Sequence, residues 1–301
     1  MKVLCSGLNV VDVLVSTPSN INVGGKNACE KILLQGGAPA GNAACAIAKL
    51  GHETSFLGYF GNNPLSMVAK SELTKHGVKD DFFLYKEEAS PAIAVVQIDN
   101  HGERTVLYST KSYMPFSSKD IDKKSLKNFD LILVDGYDTE INLHLLRLAN
   151  DLGIMSVLDM ETAEMNIMKT MLELCSDAIL PLEAAISISG KEDTIEALKA
   201  VSKMTHAQVV ITDGANGAFA LQKGELIYQP AFKVKVVDTT GCGDSFHAAY
   251  ASALLQDFNL RDRLVYASYY ASQVAQHYGG RTYLPNRSFM EEHCPLFVKN
   301  K

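Results

Sequence analysis

Short, largely apolar runs alternate along the chain with longer amphipathic stretches. The apolar runs are rich in Val, Ile and Leu, which predicts strands at 3–5, 55–57, 131–134, 156–158, 178–180 and 209–211. The amphipathic stretches predict helices near 42–50, 64–76, 141–152, 165–175, 193–204, 244–256 and 260–277. Strands that alternate with helices typically form a mostly parallel sheet with helices on both faces, and apolar strands fit its buried interior. The pattern therefore predicts an α/β fold.

Two regions, about 12–35 and 90–110, have the alternation typical of strands but no helix after them. The second region contains a turn at 99–102 that is typical of a hairpin. We expect these strands to form a small sheet that covers the main one as a lid. Pairing with a second lid would protect exposed strand edges, so a homodimer through the lid is expected. The sequence shows no Pro/Ser-rich linker, which favours one domain over 1–301.

Composition and charge exclude several classes of protein. Of the 301 residues, 47% are hydrophobic, and the net charge is −6 without a long basic run. These values argue against nucleic acid or an anionic membrane as the main partner. The sequence lacks a run near the ~18 apolar residues of a membrane span, and its start lacks the apolar segment of a signal peptide. Six scattered cysteines indicate reduced thiols, so a cytoplasmic protein is expected.

The stretch Asp238-Thr-Thr-Gly-Cys-Gly-Asp244 leads from an apolar segment through a glycine turn into a predicted helix of small residues. The glycines at 241 and 243 allow backbone conformations and close approaches that a Cβ obstructs. The free N–H groups and the dipole at the start of the helix favour an anion such as a phosphoryl group. A carboxylate at 244 can accept the proton of an attacking hydroxyl. On spacing alone, a simple helix cap at Asp244 explains the residue equally well.

This string closely resembles the C-terminal signature of the ribokinase (PfkB) family of carbohydrate kinases, commonly Asp-Thr-Thr-Gly-Ala-Gly-Asp, with Cys242 in place of Ala. The resemblance implies a ribokinase-like three-layer α/β/α fold and an ATP-dependent carbohydrate kinase. It implies Asp244 as the catalytic base and the backbone of Gly241, Cys242 and Gly243 as the anion hole. A thiol at a helix N-terminus tends to have a lowered pKa, so Cys242 is also a redox candidate, although a small replacement for Ala is the simpler interpretation.

Two further segments resemble the substrate-binding signatures of the family. In Gln35-Gly-Gly-Ala-Pro-Ala-Gly-Asn42, glycines let the backbone approach a polar ligand, and the amide offers a donor and an acceptor. Gly7-Leu-Asn-Val-Val-Asp12 places a carboxylate just past an apolar strand, at the edge where open α/β sheets bind ligands. A helix cap or a solvated strand end would explain the same residues without a function. By resemblance, the substrate-binding residues are Asp12, Asn9, Gly36, Gly37 and Asn42.

The nucleotide site is marked less clearly. Thr212-Asp-Gly-Ala-Asn-Gly217 resembles the turn beside the nucleotide, although an ordinary connection between strands explains it nearly as well. Gly279-Gly-Arg-Thr-Tyr-Leu-Pro285 occupies the position of the closing loop, which can enclose adenine or a monovalent cation such as K⁺. The resemblance therefore implies ATP-binding roles for Thr212, Gly214, Gly217 and Gly279.

One departure from the family concerns the metal. Mg²⁺ is expected because ATP is used as its complex. The family often carries Asn-x-x-Glu where this chain reads Ala178-Ile-Leu-Pro-Leu-Glu-Ala184, so Pro181 and Leu182 replace polar residues. Glu183 is then the candidate metal contact, through water. This departure also supports an alternative from another class of protein, a sugar-binding regulator without catalysis. The retained Asp244 argues against that alternative.

The substrate is the least determined part of the prediction. The segments 153–159 and 229–234 look most like members that act on ketohexoses, which favours transfer to a primary hydroxyl of a small sugar. A nucleoside kinase is the alternative within the family. Its base would stack on aromatic side chains, for which the candidates are Phe82, Phe83, Tyr108 and Tyr113.

Overall fold

The computed structural model of the protein describes residues 1–18, 20–99 and 104–298. The strands are β1 (Lys2–Ser6), β2 (Val10–Ser16), β3 (Ile32–Gly37), β4 (Glu53–Phe60), β5 (Phe83–Tyr85), β6 (Ala92–Ile98), β7 (Arg104–Ser109), β8 (Leu131–Asp135), β9 (Met155–Asp159), β10 (Asp177–Pro181), β11 (Gln208–Thr212), β12 (Ala218–Gln222) and β13 (Glu225–Gln229). The helices are α1 (Pro39–Lys49), α2 (Pro64–Lys75), α3 (Lys123–Leu126), α4 (Thr139–Leu152), α5 (Met165–Leu174), α6 (Leu182–Ser189), α7 (Thr194–Ser202), α8 (Cys242–Leu255), α9 (Leu260–Val274), α10 (Arg287–His293) and α11 (Pro295–Val298).

The larger sheet confirms the mostly parallel arrangement that the apolar runs predicted. Its nine strands lie in the order β13-β12-β11-β10-β9-β8-β1-β4-β5. The strands from β11 to β5 run parallel to their neighbours, whereas β12 and β13 add an antiparallel hairpin at one edge. The six predicted strands are the parallel strands β1, β4, β8, β9, β10 and β11.

Helices cover both faces of this sheet. Val3 and Cys5 of β1 belong to a core shared with α1, α8 and α9, whereas the intervening Leu4 packs into a second core with α4, α5 and α7. Because successive side chains of a strand point to opposite faces, the two cores lie on either side of the sheet. The result is the three-layer α/β/α fold that was expected.

The parallel strands bring their carboxyl ends to one edge of the sheet. They end at Ser6, Phe60, Asp135, Asp159, Pro181 and Thr212. Loops that follow these positions can line a common cleft, as is usual for open α/β sheets. The glycine turn before α8 also reaches this edge, because α8 packs along the sheet with its residues from Ser245 to Leu255 buried.

The smaller sheet contains the strands predicted from both lid regions. Its order is β3-β2-β6-β7, with β2 and β6 parallel and the other pairs antiparallel. Alternate residues of β2 and β6 form a small core of their own, which includes Val10, Leu14, Ala94 and Val96. The predicted turn at 99–102 falls mostly outside the described residues.

Several elements were not predicted. Helix α6 follows Pro181 directly, and its eight residues are too few and too uniformly apolar to display a helical period. The hairpin β12–β13 was not predicted, because the turn identified at 212–217 connects β11 to β12. None of the helices in the described ranges combines the length and the apolar character needed to cross a bilayer.

Candidate active site

A buried carboxylate fixes the glycine turn that precedes α8. Asp238 is fully buried, and its Oδ1 accepts hydrogen bonds from the backbone N and the hydroxyl of Thr240 at 2.8 and 2.7 Å. Its Oδ2 accepts from the backbone N of Gly279 at 2.8 Å. The turn and the predicted closing loop are therefore joined. They approach so closely that a Cβ at Gly241 would lie 2.7 Å from Cα of Gly280.

Asp244 lies in the first turn of α8, beside this glycine turn. Its carboxylate Oδ2 accepts a hydrogen bond from Asn42 Nδ2 at 2.6 Å. The cap position of the helix belongs to Gly241, which has a φ of 76°. The interpretation of Asp244 as a simple helix cap therefore does not describe the geometry, because its carboxylate is bonded across to α1. Asp244 remains half-buried, so an incoming hydroxyl can reach it.

Arg281 joins this group, although the sequence analysis gave it no role. It is 2% exposed, and its Nε donates to Asn42 Oδ1 at 2.7 Å. Its Nη2 donates to the carbonyl oxygen of Gly37 at 2.8 Å. A local sequence pattern cannot distinguish a buried arginine from a solvated one. The position of Arg281 directly after two glycines in the predicted closing loop could nevertheless have indicated a role in the site.

The predicted substrate glycines are small because other groups of the site occupy the space beside them. A Cβ at Gly36 would overlap the guanidinium of Arg281, and a Cβ at Gly37 would overlap the carboxylate of Asp12. These contacts come from the protein itself, whereas the sequence analysis attributed the glycines to the approach of a ligand. The structure brings Gly36, Gly37, Asn42 and Asp12 together, as predicted.

Asp12 lies within lid strand β2, opposite Gln35 of β3 and Ala94 of β6. The expectation that it sits just past a strand, at the edge of the main sheet, is wrong, because β1 ends at Ser6 and the lid begins at Val10. Burial raises the pKa of Asp12 to about 6, while the charge of Arg281 opposes the shift and that of Asp244 adds to it. The side chain is 7% exposed.

Asn9 is held in the short connection between β1 and β2. Asp135 accepts a hydrogen bond from the neighbouring Leu8 N at 3.0 Å, and Asn9 O accepts from Ala92 N at 2.9 Å. The side chain is 6% exposed, and its Nδ2 has no hydrogen-bond partner among the described residues. Buried amide donors are usually satisfied, so this nitrogen is a natural donor to a polar ligand.

A second buried pair lies near the start of α8. Asp159 ends strand β9, is 1% exposed, and its Oδ2 lies 3.2 Å from His247 Nδ1. Burial, and then the charge of Asp244, raise the pKa of Asp159 well above its usual range. His247 Nδ1 also lies 2.7 Å from the carbonyl oxygen of Gly243. His247 therefore connects Asp159 to the backbone of the glycine turn. The sequence analysis did not predict this role.

The lid contacts the glycine turn through Arg104. This residue begins β7, and its Nη1 donates to the carbonyl oxygen of Thr239 at 3.1 Å. Arg104 lies on the same face of the lid as Asp12, since β7 pairs with β6 and β6 with β2 in register. The lid thus places a cation beside the glycine turn.

The residues predicted for the nucleotide lie at the same edge of the sheet. Thr212 ends β11, and Gly214 and Gly217 follow in its turn. A Cβ at Gly217 would overlap the carbonyl oxygen of Gln229, so the packing of the protein itself requires a glycine at this position. Gly279 lies in the loop bonded to Asp238, with a φ of 89°. Glu183 is exposed in the first turn of α6.

The acidic and metal-binding side chains that the structure describes are scattered. Across the described ranges, no cluster of three or more His, Cys, Asp or Glu is arranged to hold an ion. The exposed carboxylate of Glu183 is the type of oxygen ligand that suits Mg²⁺.

The thiol of Cys242 does not have the lowered pKa that its position at the start of a helix suggested. Burial raises the pKa of this thiol to about 12, with the charge of Asp238 as the next cause. The thiolate is the reactive form, so the simpler interpretation of Cys242 as a small residue in place of Ala fits the structure better.

Comparison with known proteins identifies the family of the chain and agrees with the fold. The model of the pfkB family carbohydrate kinase matches residues 2–287. The chain is 26% identical over 266 residues to the bifunctional ribokinase/ribose-5-phosphate isomerase A of Fructilactobacillus sanfranciscensis, which covers 84% of the chain and 48% of that protein. The chain thus spans about half the length of this relative.

Two further similarities carry the comparison. The chain is 30% identical over 247 residues to fructokinase-2 of Oryza sativa subsp. japonica, which covers 70% of the chain and 68% of that protein. The structure of Arabidopsis thaliana ribokinase complexed with ribose and ATP superposes with a TM-score of 0.82 at 22% identity and covers 97% of each chain. At that identity, the structural similarity shows the fold.

Proposed function

We propose that this chain, which belongs to the pfkB family of carbohydrate kinases, transfers the γ-phosphoryl group of ATP to a primary hydroxyl of a small sugar. The observation that carries the proposal is the Asp244 carboxylate, oriented by Asn42 at 2.6 Å beside the N-terminal turn of α8. The turn offers backbone N–H groups to an anion, and the carboxylate offers a base. A base next to an anion site is the arrangement that phosphoryl transfer to a hydroxyl requires.

In the proposed reaction, the sugar lies between the lid and the carboxyl edge of the main sheet. Asp12 accepts hydrogen bonds from its hydroxyls, and the unpartnered Nδ2 of Asn9 donates to a sugar oxygen. Gly36, Gly37 and Asn42 complete the contacts. The lid then excludes water, which limits the wasteful hydrolysis of ATP.

Asp244 takes the proton from the sugar hydroxyl while the oxygen attacks the γ-phosphorus and the bond to the leaving ADP breaks. The backbone N–H groups of Gly241, Cys242 and Gly243 stabilise the charge on the transferring group. The N–H of Cys242 donates to the carbonyl oxygen of Thr239 at 3.2 Å, so it would have to turn from that oxygen to the phosphoryl group. ATP is held by Thr212, Gly214, Gly217 and Gly279 in this proposal. Mg²⁺, when bound, would neutralise phosphate charge, and Glu183 would contact its water shell.

A monovalent cation such as K⁺ belongs to the same proposal. Asp238 is a fully buried carboxylate whose charge is met by three hydrogen bonds from Thr240 and Gly279. A cation beside this carboxylate would compensate a buried charge that is otherwise costly. It would also stiffen the junction between the glycine turn and the closing loop.

A ketohexose or a related sugar is the substrate that we favour over a nucleoside. Of the aromatic candidates for stacking on a base, Phe82 and Phe83 pack edge to face or tilted on Phe129 and Phe60. Tyr113 is hydrogen-bonded to Asp138. Tyr108, which is 70% exposed, is thus the candidate of the four that the described contacts leave accessible. Similarity to a fructokinase at 30% identity supports a ketose.

A homodimer through the lid is the assembly that we propose. The face of the lid opposite Asp12 carries aliphatic side chains, and this outer face consists of Val13, Val15, Ile32, Leu34, Ile93, Val95 and Leu107. Ile32 is 66% exposed and Leu107 is 60% exposed. A contiguous apolar patch of this kind favours association. The six free thiols and the use of ATP support a cytoplasmic location.

The experiment that tests the function measures ADP formation with a panel of ketohexoses, other sugars, sugar phosphates and nucleosides. The wild type is compared with Asp244→Asn, which keeps the shape of the side chain and removes the base. We expect turnover with a ketose and a loss of roughly 10²- to 10⁴-fold in kcat in the variant. If the wild type binds a sugar but forms ADP no faster than Asp244→Asn, the kinase proposal is refuted. The chain would then be a non-catalytic sugar-binding regulator.

A further inference from the structure

We propose that Arg281 is the positioning residue that determines which oxygen of Asp244 receives the proton of the substrate. The inference rests on the proposed function of Asp244 as the base. Arg281 is 2% exposed and donates to Asn42 Oδ1 at 2.7 Å and to the Gly37 carbonyl at 2.8 Å. Both bonds come from one rigid, planar guanidinium, which therefore has a single orientation.

The chemistry of the three side chains sets the direction of every hydrogen bond among them. Arginine can only donate, whereas an asparagine amide has one oxygen that accepts and one nitrogen that donates. Since Arg281 bonds to Oδ1 of Asn42, the Nδ2 group must be the one that meets Asp244. Its distance to Asp244 Oδ2 is 2.6 Å. Oδ2 is consequently held as an acceptor.

The other carboxylate oxygen, Oδ1, is then the one that remains for the substrate. As the hydroxyl O–H bond of the sugar breaks, its proton moves to Oδ1 and its oxygen forms the bond to the γ-phosphorus. Without Arg281, the Asn42 amide would be held at one end only, by Asp244 itself. The amide could then turn away from the carboxylate, and the base would lose its fixed orientation.

The sequence makes room for this arginine at two positions. A Cβ at Gly36 would overlap the guanidinium, and a Cβ at Gly41 would lie 2.6 Å from Nη2. A buried cation is costly unless its hydrogen bonds are satisfied. The guanidinium of Arg281 is thus surrounded by Gly36, Gly41, the carbonyl of Gly37 and the amide of Asn42. All four belong to the proposed substrate-binding segment.

A purely structural role would make Arg281 a tie between the closing loop and lid strand β3. Its loss would then reduce stability without regard to Asn42. The positioning role differs, because Arg281 acts on Asp244 only through the Asn42 amide. The two roles are therefore separated by the energetic coupling between positions 281 and 42.

The experiment is a double-mutant cycle in the full-length protein with the best sugar from the panel and with ATP. The kcat is measured for the wild type, Arg281→Gln, Asn42→Ala and the double variant. Arg281→Gln is expected to lower kcat roughly 10- to 100-fold, because a misplaced base is a poor base. On the Asn42→Ala background, the same change is expected to cost less than about threefold. Losses that multiply would overturn the proposal.

Arg263→Gln is the matched control. Arg263, in α9, is a partly buried arginine whose Nη1 lies 3.4 Å from Asp177 Oδ1. Asp177 lies at the amino end of β10, opposite the cleft. Arg263→Gln is expected to lower the melting temperature and to keep kcat within about twofold. A kcat loss equal to that of Arg281→Gln would show a general structural effect and refute the positioning role.

Two further outcomes have a defined meaning. If Arg281→Gln does not fold, Arg281→Lys takes its place in the cycle, since lysine keeps the charge but lacks the fork that reaches both partners. A wild type that forms no ADP with any substrate refutes the proposed function. An active wild type whose cycle is additive refutes only the role of Arg281.

Discussion

The carboxylate of Asp12 occupies the volume in which Gly37 would carry a side chain. The two residues lie on adjacent lid strands, with Gly37 paired to Val10 and Asp12 paired to Gln35. A Cβ at Gly37 would overlap all three carboxylate atoms of Asp12. The glycine therefore determines where the proposed substrate-binding carboxylate lies, and its backbone carbonyl is at the same time bonded to Arg281.

Gly37→Ala is expected to displace Asp12 and to raise the KM for the sugar about 10-fold or more, with a smaller effect on the KM for ATP. The control is Gly153→Ala, at a glycine with a φ of 67° where an added Cβ would meet no atom within 4 Å. That variant introduces backbone strain without a steric clash, so it should lose stability alone. Steady-state kinetics with each substrate varied in turn measure the difference. Equal KM values in wild type and Gly37→Ala would contradict the steric argument.

The ionisation of Asp12 has a predictable cost in stability. Burial raises its pKa from 3.8 to about 6. Between these two values the folded protein binds more protons at this group than the unfolded chain does. The contribution of Asp12 to the free energy of unfolding therefore falls as pH rises through this window, and it stays low above about pH 6.

Asp12→Asn is consequently expected to be more stable than the wild type at pH 8, by on the order of 1–3 kcal/mol. The difference should vanish below about pH 4, where both side chains are neutral. The same variant should bind sugar poorly, and the wild type should lose sugar affinity as pH falls through about 6. Urea unfolding at both pH values, together with kinetics, measures these effects. A variant that is less stable at pH 8 would show that hydrogen bonds of the carboxylate outweigh its desolvation.

Arg104 connects the lid to the glycine turn, and its loss should loosen the closed cleft. Its Nη1 lies 3.1 Å from the carbonyl oxygen of Thr239. Arg104→Gln is expected to raise the KM for the sugar several-fold and to increase the fraction of ATP that is hydrolysed without sugar phosphorylation. The matched control is Lys111→Gln, an exposed cation just after the lid strands. An unchanged ratio of hydrolysis to transfer would argue against a role of Arg104 in closure.

The outer face of the lid should determine the oligomeric state. Leu107→Glu places a charge in the aliphatic patch, on a strand whose six residues are exposed. It is expected to convert a dimer to a monomer at micromolar concentration in analytical ultracentrifugation. Leu226→Glu is the control, because Leu226 is also an exposed leucine but lies on β13, at the far edge of the main sheet. A wild type that sediments as a monomer would refute the dimer.

The sequence predicted the regular parts of the molecule because their physics is local. Apolar runs such as Leu131–Val134 have a single plausible environment, a strand covered on both sides, and they were found there. The resemblance of Asp244 and Asn42 to known motifs predicted that they share a site. Their direct bond, however, joins positions that are 202 residues apart in the chain, and no local pattern encodes such a contact.

The errors have the same cause. Asp12 was expected at the end of a strand of the main sheet, because the sequence does not reveal that the chain leaves that sheet after Ser6 and enters the lid. Arg281 was passed over because burial of a charge depends on tertiary neighbours, here Gly36 and Gly41. For Cys242, the sequence analysis offered a lowered thiol pKa beside the simpler interpretation as a small residue in place of Ala. Burial depends on tertiary neighbours too, and it raises the pKa of this thiol.

The three hydrogen bonds of Asp238 also have a consequence for how the site unfolds locally. The amide protons of Thr240 and Gly279 are bonded to the same buried carboxylate, although α8 and α9 separate them in the chain. Each amide is bonded to a different oxygen of one carboxylate, so a displacement of Asp238 releases both amides together. Hydrogen–deuterium exchange should therefore find both amides protected by one opening event, with equal free energies of opening. The glycine turn and the closing loop would then form a single cooperative unit, to which Arg104 and Arg281 join the lid.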